Sequence, residues 1–219
     1  MSFCLILLAA GNSSRFKSNI AKPYHKIGGK TLAEISLKKA SFFPQIKKVV
    51  FVYNQRHKKN LKLINAKNLK FVRGGKTRQE STYKALKYLI KQKSFSKVLI
   101  HDAARPNFSK NLLSSIIKNM KNSRGVVPIL KINDALKQIN QKFIVGKNRN
   151  DFFITQTPQC FNLKEIYNLH KKFKFRYSDD DFSLLNTFNK IKLINGEKNN
   201  FKITDQIDFD NLKNIFKSK

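Results

Sequence analysis

FCLILLAAG, residues 3–11, sets the fold class of this chain. Its first six residues are apolar without alternation, which is the pattern of a strand covered on both faces, as the strands of a parallel sheet are. The run is too short for a membrane span, which needs about 20 apolar residues. No basic segment precedes it, and it passes directly into a glycine-containing loop, so it reads as a buried first strand and not as a secretion signal.

Outward from that strand, the chain alternates. TLAEISLKKASFF, 31–43, has helical character, with Glu34 and Lys38 spaced i,i+4. VVFVY, 49–53, and LKFV, 69–72, are rich in β-branched and aromatic residues and predict two more strands, the second ending at Gly74-Gly75. From Thr77 to about Gln92, Leu86, Leu89 and Ile90 fall on one helical stripe, with Thr77 as N-cap and Glu80 at the capping-box position. KVLIHD, 97–102, is a fourth strand, NLLSSIIKNM, 111–120, a helix, and GVVPIL, 125–130, a fifth strand. Strands alternating with helices predict an α/β fold with a doubly wound, mostly parallel sheet. Ligands of such sheets sit at the carboxyl ends of the strands, and three polar clusters fall there: after the first, third and fourth strands.

Residues 131–157 break the rhythm. The segment is polar, contains Asn133-Asp134 and Asn148-Arg149-Asn150, and fits an extended, hairpin-like arm better than a core helix. Regular patterning resumes with a helix over 163–173, a strand over 190–194 and a last helix near 207–217. There is no internal repeat and no low-complexity linker, so residues 1–219 read as a single domain with a projecting arm at 131–157.

Composition narrows the function classes. With 219 residues, 41% of them hydrophobic, the chain can bury one sizeable core. Cys4 and Cys160 show neither metal-ligand nor redox spacing, and a reducing, cytoplasmic setting is expected. The formal charge of +32 raises the possibility of a nucleic-acid-binding protein. The lysines, however, are scattered singly or in pairs, as in Lys38-Lys39, Lys47-Lys48 and Lys58-Lys59. The chain has no arginine-rich tail, zinc-finger spacing or aromatic RNA-binding signature. Specific nucleic-acid binding is therefore not expected, although a positive field attracts a triphosphate. Only 13 residues are Asp or Glu, so any metal chemistry must draw on a short list.

LLAAGNSSRFKSNIAKPYHKIGGKTL, 7–32, places a loop of small residues after a strand, where backbone N–H groups can approach a phosphate chain. Arg15 can fork onto phosphate oxygens, and Lys22 is a compact point charge. This segment resembles the signature loop of nucleotidyltransferases that activate sugars and polyols, A-A-G-x-G-x-R-M followed by P-K. Here Ser13 stands at the second glycine, Phe16 follows Arg15, and the lysine lies in Ala21-Lys22-Pro23.

Further segments narrow the resemblance to the methylerythritol phosphate cytidylyltransferase family. GGKTRQES, 74–81, is similar to its G-G-x-x-R-x-x-S segment, which implies that Gly75 and Ser81 read the cytosine edge and that Arg78 holds the segment in place. VLIHDAARPN, 98–107, contains the family's H-D-A-A-R-P. Asp102, at the end of a buried strand, suits Mg²⁺, a hard cation that takes a few carboxylates plus substrate phosphates. Sister ribitol phosphate enzymes usually carry H-D-S-V-R-P, so Ala103-Ala104 favours methylerythritol phosphate as acceptor. Arg105 is expected to brace the loop, and His101 is not needed as a base because the attacking phosphate is already ionised.

NDALK, 133–137, and NRNDFFITQTPQCF, 148–161, resemble the arm D-T-x-K and the D-R…Q-T-P-Q segment, with Ala135 for the arm threonine and Asn148 for the aspartate. FRYSDDDFSLL, 175–185, resembles T-D-[DE]-A through Ser178-Asp179-Asp180, with Asp181 at the alanine. NNFKITDQIDF, 199–209, resembles N-[IF]-K-[IV]-T-x-P-x-D, with Gln206 for proline.

The resemblance spans residues 3 to about 215, in family order. It implies a Rossmann-like nucleotidyltransferase fold and transfer of CMP from CTP to 2-C-methyl-D-erythritol 4-phosphate. The nucleotide would lie on Ala9, Ala10, Gly11, Gly75, Ser81, Asp102 and Ala103. Arg15, Lys22 and Lys202 would carry the chemistry, with Asp102, Arg149, Lys202 and Thr204 on the acceptor and Asp102 on Mg²⁺ or another divalent cation. It also implies a homodimer in which Arg149 reaches the neighbour's site. Ribitol 5-phosphate is the alternative acceptor. Some relatives continue into a zinc-dependent cyclase, and the 219 residues contain no sequence for one.

Overall fold

A computed structural model describes residues 1–13, 16, 18, 20–173, 178–185 and 190–217. Strand β1 (Phe3–Ala9) is followed by the short hairpin β2 (Lys26–Ile27) and β3 (Lys30–Thr31), then α1 (Leu32–Ser41), β4 (Ile46–Tyr53), β5 (Leu69–Arg73) and α2 (Arg78–Ile90). Next come β6 (Lys97–Asp102), α3 (Lys110–Asn119), β7 (Gly125–Lys131), β8 (Leu136–Asn140), β9 (Phe143–Lys147), β10 (Phe153–Thr155) and β11 (Gln159–Asn162). The chain closes with α4 (Leu163–Lys172), β12 (Ile191–Asn195) and α5 (Gln206–Lys217).

Among the described residues the main sheet has eight strands in the order β10-β7-β11-β6-β1-β4-β5, with β12 on the other edge of β7. β1, β4, β5 and β6 pair in parallel, as do β7 and β12. The continuous apolar run of β1 follows from its central place. Phe3, Leu5 and Leu7 pack on one face with Leu37 and Ala40 of α1 and Leu112, Leu113 and Ile116 of α3. Cys4 and Ile6 pack on the other with Ala85, Leu86 and Leu89 of α2 and Leu163 and Ile166 of α4. Side chains alternate faces along a strand, so a strand with helices on both sides has no position to leave polar.

Local chemistry sets the helix starts. Thr31 and Glu34 form a reciprocal capping box at α1, so the Glu34 carboxylate faces back to Thr31. Such a cap contributes about 1 kcal/mol. Thr77 caps α2 by accepting the Glu80 N–H, but Glu80 does not complete the expected box: its carboxylate takes the Lys76 N–H, one residue upstream.

Two departures from the expected layout lie beyond β7. QCFN, 159–162, is a strand that its short, mixed pattern did not announce, and it inserts antiparallel between β6 and β7. The segment 131–157 also divides. Phe153–Thr155 returns to the sheet and pairs with β7, while β8 and β9 form a separate two-stranded hairpin through Gln141-Lys142. Every residue of β9 is exposed.

Candidate functional site

The carboxyl ends of β1, β5 and β6 open onto one cleft of about 290 Å³. Its walls are Leu8 to Ser13, Lys22 and Pro23 on one side, Gly75 to Arg78 and Ser81 on another, and Asp102, Ala104 and Lys202 across the floor and rim. Three clusters far apart in sequence therefore meet, together with a fourth segment from the end of the chain.

Gly74 sets the distance between the first two walls, and Gly75 the fold of the second. A Cβ on Gly74 would overlap Cβ of Ala10 and come within 2.9 Å of the Ser81 hydroxyl, and one on Gly75 would overlap the Glu80 side chain. The end of β5 thereby presses against the loop after β1, and the Gly75 N–H donates to the Ser81 hydroxyl oxygen at 3.0 Å. Asn54 fixes the other side of that loop, its amide donating to the Ala10 carbonyl and the Asn12 side chain, each at 3.1 Å.

Ser13 has φ +54°, the left-handed region that favours glycine. This explains why the resembling loops carry glycine there. Here the hydroxyl accepts the Lys22 N–H at 3.1 Å, a bond that glycine cannot make and that offsets part of the strain. The Lys22 ammonium donates to the Ile203 and Thr204 carbonyls, at 3.1 and 3.3 Å. A separate cluster of Phe16, Ile27, Leu32, Ile35, Ile203, Phe209 and Leu212 packs the same two chain segments together. Lys22 and Lys202 are thus delivered to the cleft as neighbours.

Asp102 is the carboxylate of this cleft. Oδ1 lies 3.1 Å from Arg78 Nε and Oδ2 2.8 Å from Lys202 Nζ. Burial by itself would raise the Asp102 carboxyl, but Arg78 and Lys202 outweigh it and hold the group well below the usual carboxylate range. Among the described residues no three His, Cys, Asp or Glu side chains gather into a closed metal cage. The donor set here is one ionised carboxylate at the edge of an open cleft. That suits a cation such as Mg²⁺, which keeps waters and takes its remaining oxygens from substrate phosphates.

The segment carrying Lys202 is docked by several bonds. Arg105 donates to the Asn200 carbonyl at 2.9 Å, the Ile203 N–H to the Ala104 carbonyl at 2.8 Å, and Asn107 to the Asn199 carbonyl at 3.1 Å. The buried Asn200 amide donates to the Thr157 carbonyl at 2.9 Å. Arg105 therefore sits where a brace is needed.

His101 is not placed for proton transfer. The Asp102 N–H donates to Thr157 Oγ1 at 3.1 Å, which leaves the hydroxyl hydrogen for His101 Nδ1 at 3.0 Å. The remaining nitrogen, Nε2, then carries the proton and donates to the Arg105 carbonyl at 3.1 Å. Burial pushes the imidazole down to about 3, so it is neutral at physiological pH and props the β6 loop.

The other expected site residues fall in different places. Arg15 lies outside the described residues. Ala9 and Ala10 line the cleft beside Gly11. Ala103 is buried behind the wall, its N–H donating to the Leu8 carbonyl at 3.0 Å, and its neighbour Ala104 faces the cleft. Thr204 lies just behind Lys202 and contributes its carbonyl to Lys22. Arg149 is not at this cleft. It sits at the foot of the β8–β9 hairpin, exposed, with its guanidinium on the Asn133 carbonyl. Asn148, one residue before it, caps the local turn by accepting the Asn150 N–H at 3.2 Å, as an aspartate would.

Of the three successive aspartates, Asp180 accepts from Gln159 at 2.7 Å and Asp181 is the one that is fully buried. Asp181 pairs with Arg78 and His170. This pairing and the Asn54 tie escaped the reading of the sequence. A lone buried acid or an asparagine after a strand has no local pattern that identifies its partner.

Comparisons with known proteins agree with this geometry. A family model described as 2-C-methyl-D-erythritol 4-phosphate cytidylyltransferase matches residues 3–218. A bifunctional enzyme IspD/IspF of Pelagibacter ubique is 42% identical over 214 residues, covering 97% of this chain and 57% of the relative. A 2-C-methyl-D-erythritol 4-phosphate cytidylyltransferase of Clostridium botulinum is 35% identical over 214 residues, covering 91% of each. The chain thus spans little more than half of the bifunctional relatives and nearly all of the monofunctional one. The crystal structure of 4-diphosphocytidyl-2C-methyl-D-erythritol synthase from Anaerococcus prevotii superposes with a TM-score of 0.83 at 30% identity, over 100% of this chain and 96% of that one.

Proposed function

The chain belongs to the 2-C-methyl-D-erythritol 4-phosphate cytidylyltransferase family, and from that membership we propose that it transfers CMP from CTP to 2-C-methyl-D-erythritol 4-phosphate. The products are pyrophosphate and 4-diphosphocytidyl-2-C-methyl-D-erythritol, an intermediate of isoprenoid precursor synthesis. The observation that carries the reading is the convergence of a backbone phosphate loop, Lys22, Lys202 and a single ionised carboxylate on one cleft beside a Gly-Gly wall.

In this mechanism the cytosine lies on Gly75 and Ser81, where a backbone group and a hydroxyl can meet its polar edge. The triphosphate runs over the N–H groups of the Ala10 to Ser13 loop. An oxygen of the acceptor phosphate attacks the α-phosphorus in line, and the bond to the β,γ-pyrophosphate breaks on the opposite side. Lys22 and Lys202, neighbours in the cleft, neutralise the growing charge on the α-phosphoryl group. Positioning and preorganised charge supply the rate, and no covalent intermediate is needed. Arg15 joins this set by the family pattern. A divalent cation on Asp102 and the phosphate oxygens would add charge neutralisation for the departing pyrophosphate. Asp102 would hold that cation, and Lys202, its present ion-pair partner, has a side chain 42% exposed at the cleft rim.

The working unit in this proposal is a homodimer. The hairpin carries its apolar side chains in water, and Arg149 stands at its foot, away from its own cleft. Packed on a second copy, the hairpin brings Arg149 to the partner's acceptor phosphate. Cys4 and Cys160 are buried free thiols, compatible with a reducing cytoplasm, and no described helix is long and apolar enough to cross a membrane.

The test is pyrophosphate release from CTP with a panel of polyol phosphates. The expected result is fastest turnover with 2-C-methyl-D-erythritol 4-phosphate. A higher kcat/KM with ribitol 5-phosphate overturns the acceptor, and no release with any polyol phosphate overturns the reaction.

A further inference from the structure

The proposed mechanism leaves the inner part of one row of charged side chains unused. Beside Asp102, the Arg78 guanidinium places Nη2 2.9 Å from Oδ2 of Asp181. Oδ1 of Asp181 lies 3.0 Å from Nε2 of His170 on α4. The side chains of Asp181 and His170 are 0% and 1% exposed. A continuous row therefore runs inward from the cleft rim: Lys202, Asp102, Arg78, Asp181, His170.

The middle of that row is a cation between two carboxylates. A buried charge is tolerated only when it is compensated, and removing one member of a buried pair leaves its partner's charge exposed to a poor solvent. The Arg78 Nη2 and Asp181 Oδ2 atoms meet at ion-pair distance but off the hydrogen-bond axis, so charge, more than a directed bond, holds them. With Asp181 in place, the charges of Arg78 and Asp181 cancel inside the protein. The negative charge of Asp102 then remains for the cleft. Without Asp181, Arg78 would spend its charge on Asp102, and the carboxylate facing the cleft would be neutralised by it.

We propose that Asp181, oriented by His170, is a positioning residue that neutralises Arg78 and thereby keeps the Asp102 carboxylate available to cations in the cleft. Those cations are Lys202 in the free protein and a divalent metal ion accompanying the nucleoside triphosphate in the loaded one. The inference rests on the reading of Asp102 as the cation-binding carboxylate.

The experiment measures Mn²⁺ binding to the full chain with saturating CTP and no acceptor, by the loss of the free Mn²⁺ electron-spin signal. Asp181→Asn keeps the shape and removes the charge. Its expected Mn²⁺ dissociation constant is about tenfold above that of the unsubstituted protein, with the acceptor KM unchanged. The double variant Asp181→Asn/Arg78→Gln carries no uncompensated buried charge, so its expected Mn²⁺ affinity returns to within about threefold of the original. This recovery distinguishes charge balance from a purely structural role, under which the second substitution adds damage. If Asp181→Asn alone fails to fold, the double variant still decides, because affinity tenfold weaker than the original overturns the proposal. A folded Asp181→Asn with unchanged Mn²⁺ affinity also overturns it. Asp102→Asn serves as the control: Mn²⁺ binding undisturbed by that change removes the metal reading of Asp102, and with it the basis of the proposal.

Discussion

The cleft and the hairpin arm are built on opposite principles. Around the cleft, charged and polar groups have their partners within the chain: Asp102 has Arg78 and Lys202, His101 has Thr157 and the Arg105 carbonyl, and Lys22 has two carbonyls. In the arm, large apolar side chains stand in water. Ile139, Ile144 and Phe143 are 79%, 74% and 72% exposed. Ile139 faces Ile144 across the hairpin, while Phe143 and Val145 share the opposite face, so each face carries apolar side chains. Exposed apolar side chains grouped in this way are what the proposed dimer would cover. The cleft is preorganised by its own chain, whereas the arm leaves its apolar side chains exposed.

The sharpest way to break that contrast is base selection, which needs only the cleft. If Gly75 and Ser81 form a rigid reading edge, CTP is expected to exceed UTP in kcat/KM by about 10⁴, the margin of sites built to hydrogen-bond a particular group. Pyrophosphate-release rates with the four triphosphates measure this, and equal rates with UTP would remove the base-reading role.

Next in size is Lys22→Ala, expected to cost about 10²–10³ in kcat with the fold intact. Turnover together with a circular-dichroism melt checks it, and a near-normal rate would take Lys22 out of the mechanism.

The arm half of the comparison is tested by Arg149→Ala. It is expected to cost about 10–100-fold in kcat/KM for the acceptor, the worth of a charged hydrogen bond to phosphate. Mixing Lys22→Ala with Arg149→Ala under conditions of subunit exchange should then restore up to about a quarter of the original activity, because random hybrids hold one intact composite site. Exchange without recovery would mean that Arg149 serves its own subunit or none.

A smaller signature belongs to the cleft floor alone. His101 binds its proton only near pH 3 when folded, against 6.5 as its ordinary value, so the unfolded chain takes up that proton first. Stability is therefore full above about pH 6.5 and falls by about 1.4 kcal/mol per pH unit as the pH drops below it. Urea unfolding between pH 7.5 and 4.5 measures the slope. His101→Gln, which keeps a donor for the Arg105 carbonyl, should flatten it.

The smallest expected effect is at Ser13. Ser13→Gly relieves the left-handed strain but loses the bond to the Lys22 N–H, two terms of about 1 kcal/mol and opposite sign. Stability should change little while kcat falls a few-fold. A drop as large as that of Lys22→Ala would instead make the serine part of the phosphate site itself.

What was legible in the sequence was local. FCLILL reads as a doubly covered strand because its six side chains admit no polar face, and Thr77 and the Gly-Gly after β5 announce a helix start and a strand end by their own stereochemistry. The loops that form the cleft were legible as well, since topology places the carboxyl ends of neighbouring parallel strands together. Contacts between distant segments were not. Glu80 has two N–H groups within reach, and only the fold chose Lys76. QCFN became a strand because β6 and β7 left an edge between them for it to fill. Asp181 was one of three adjacent aspartates, and the packing of α4 against α2 put that one, and not its neighbours, against Arg78. Periodicity and turn chemistry are properties of residues a few positions apart, and the sequence determines them by itself. Which buried charge meets which, and which apolar surface is left uncovered, depends on segments a hundred residues apart being packed at fixed distances, and only the tertiary structure decides that.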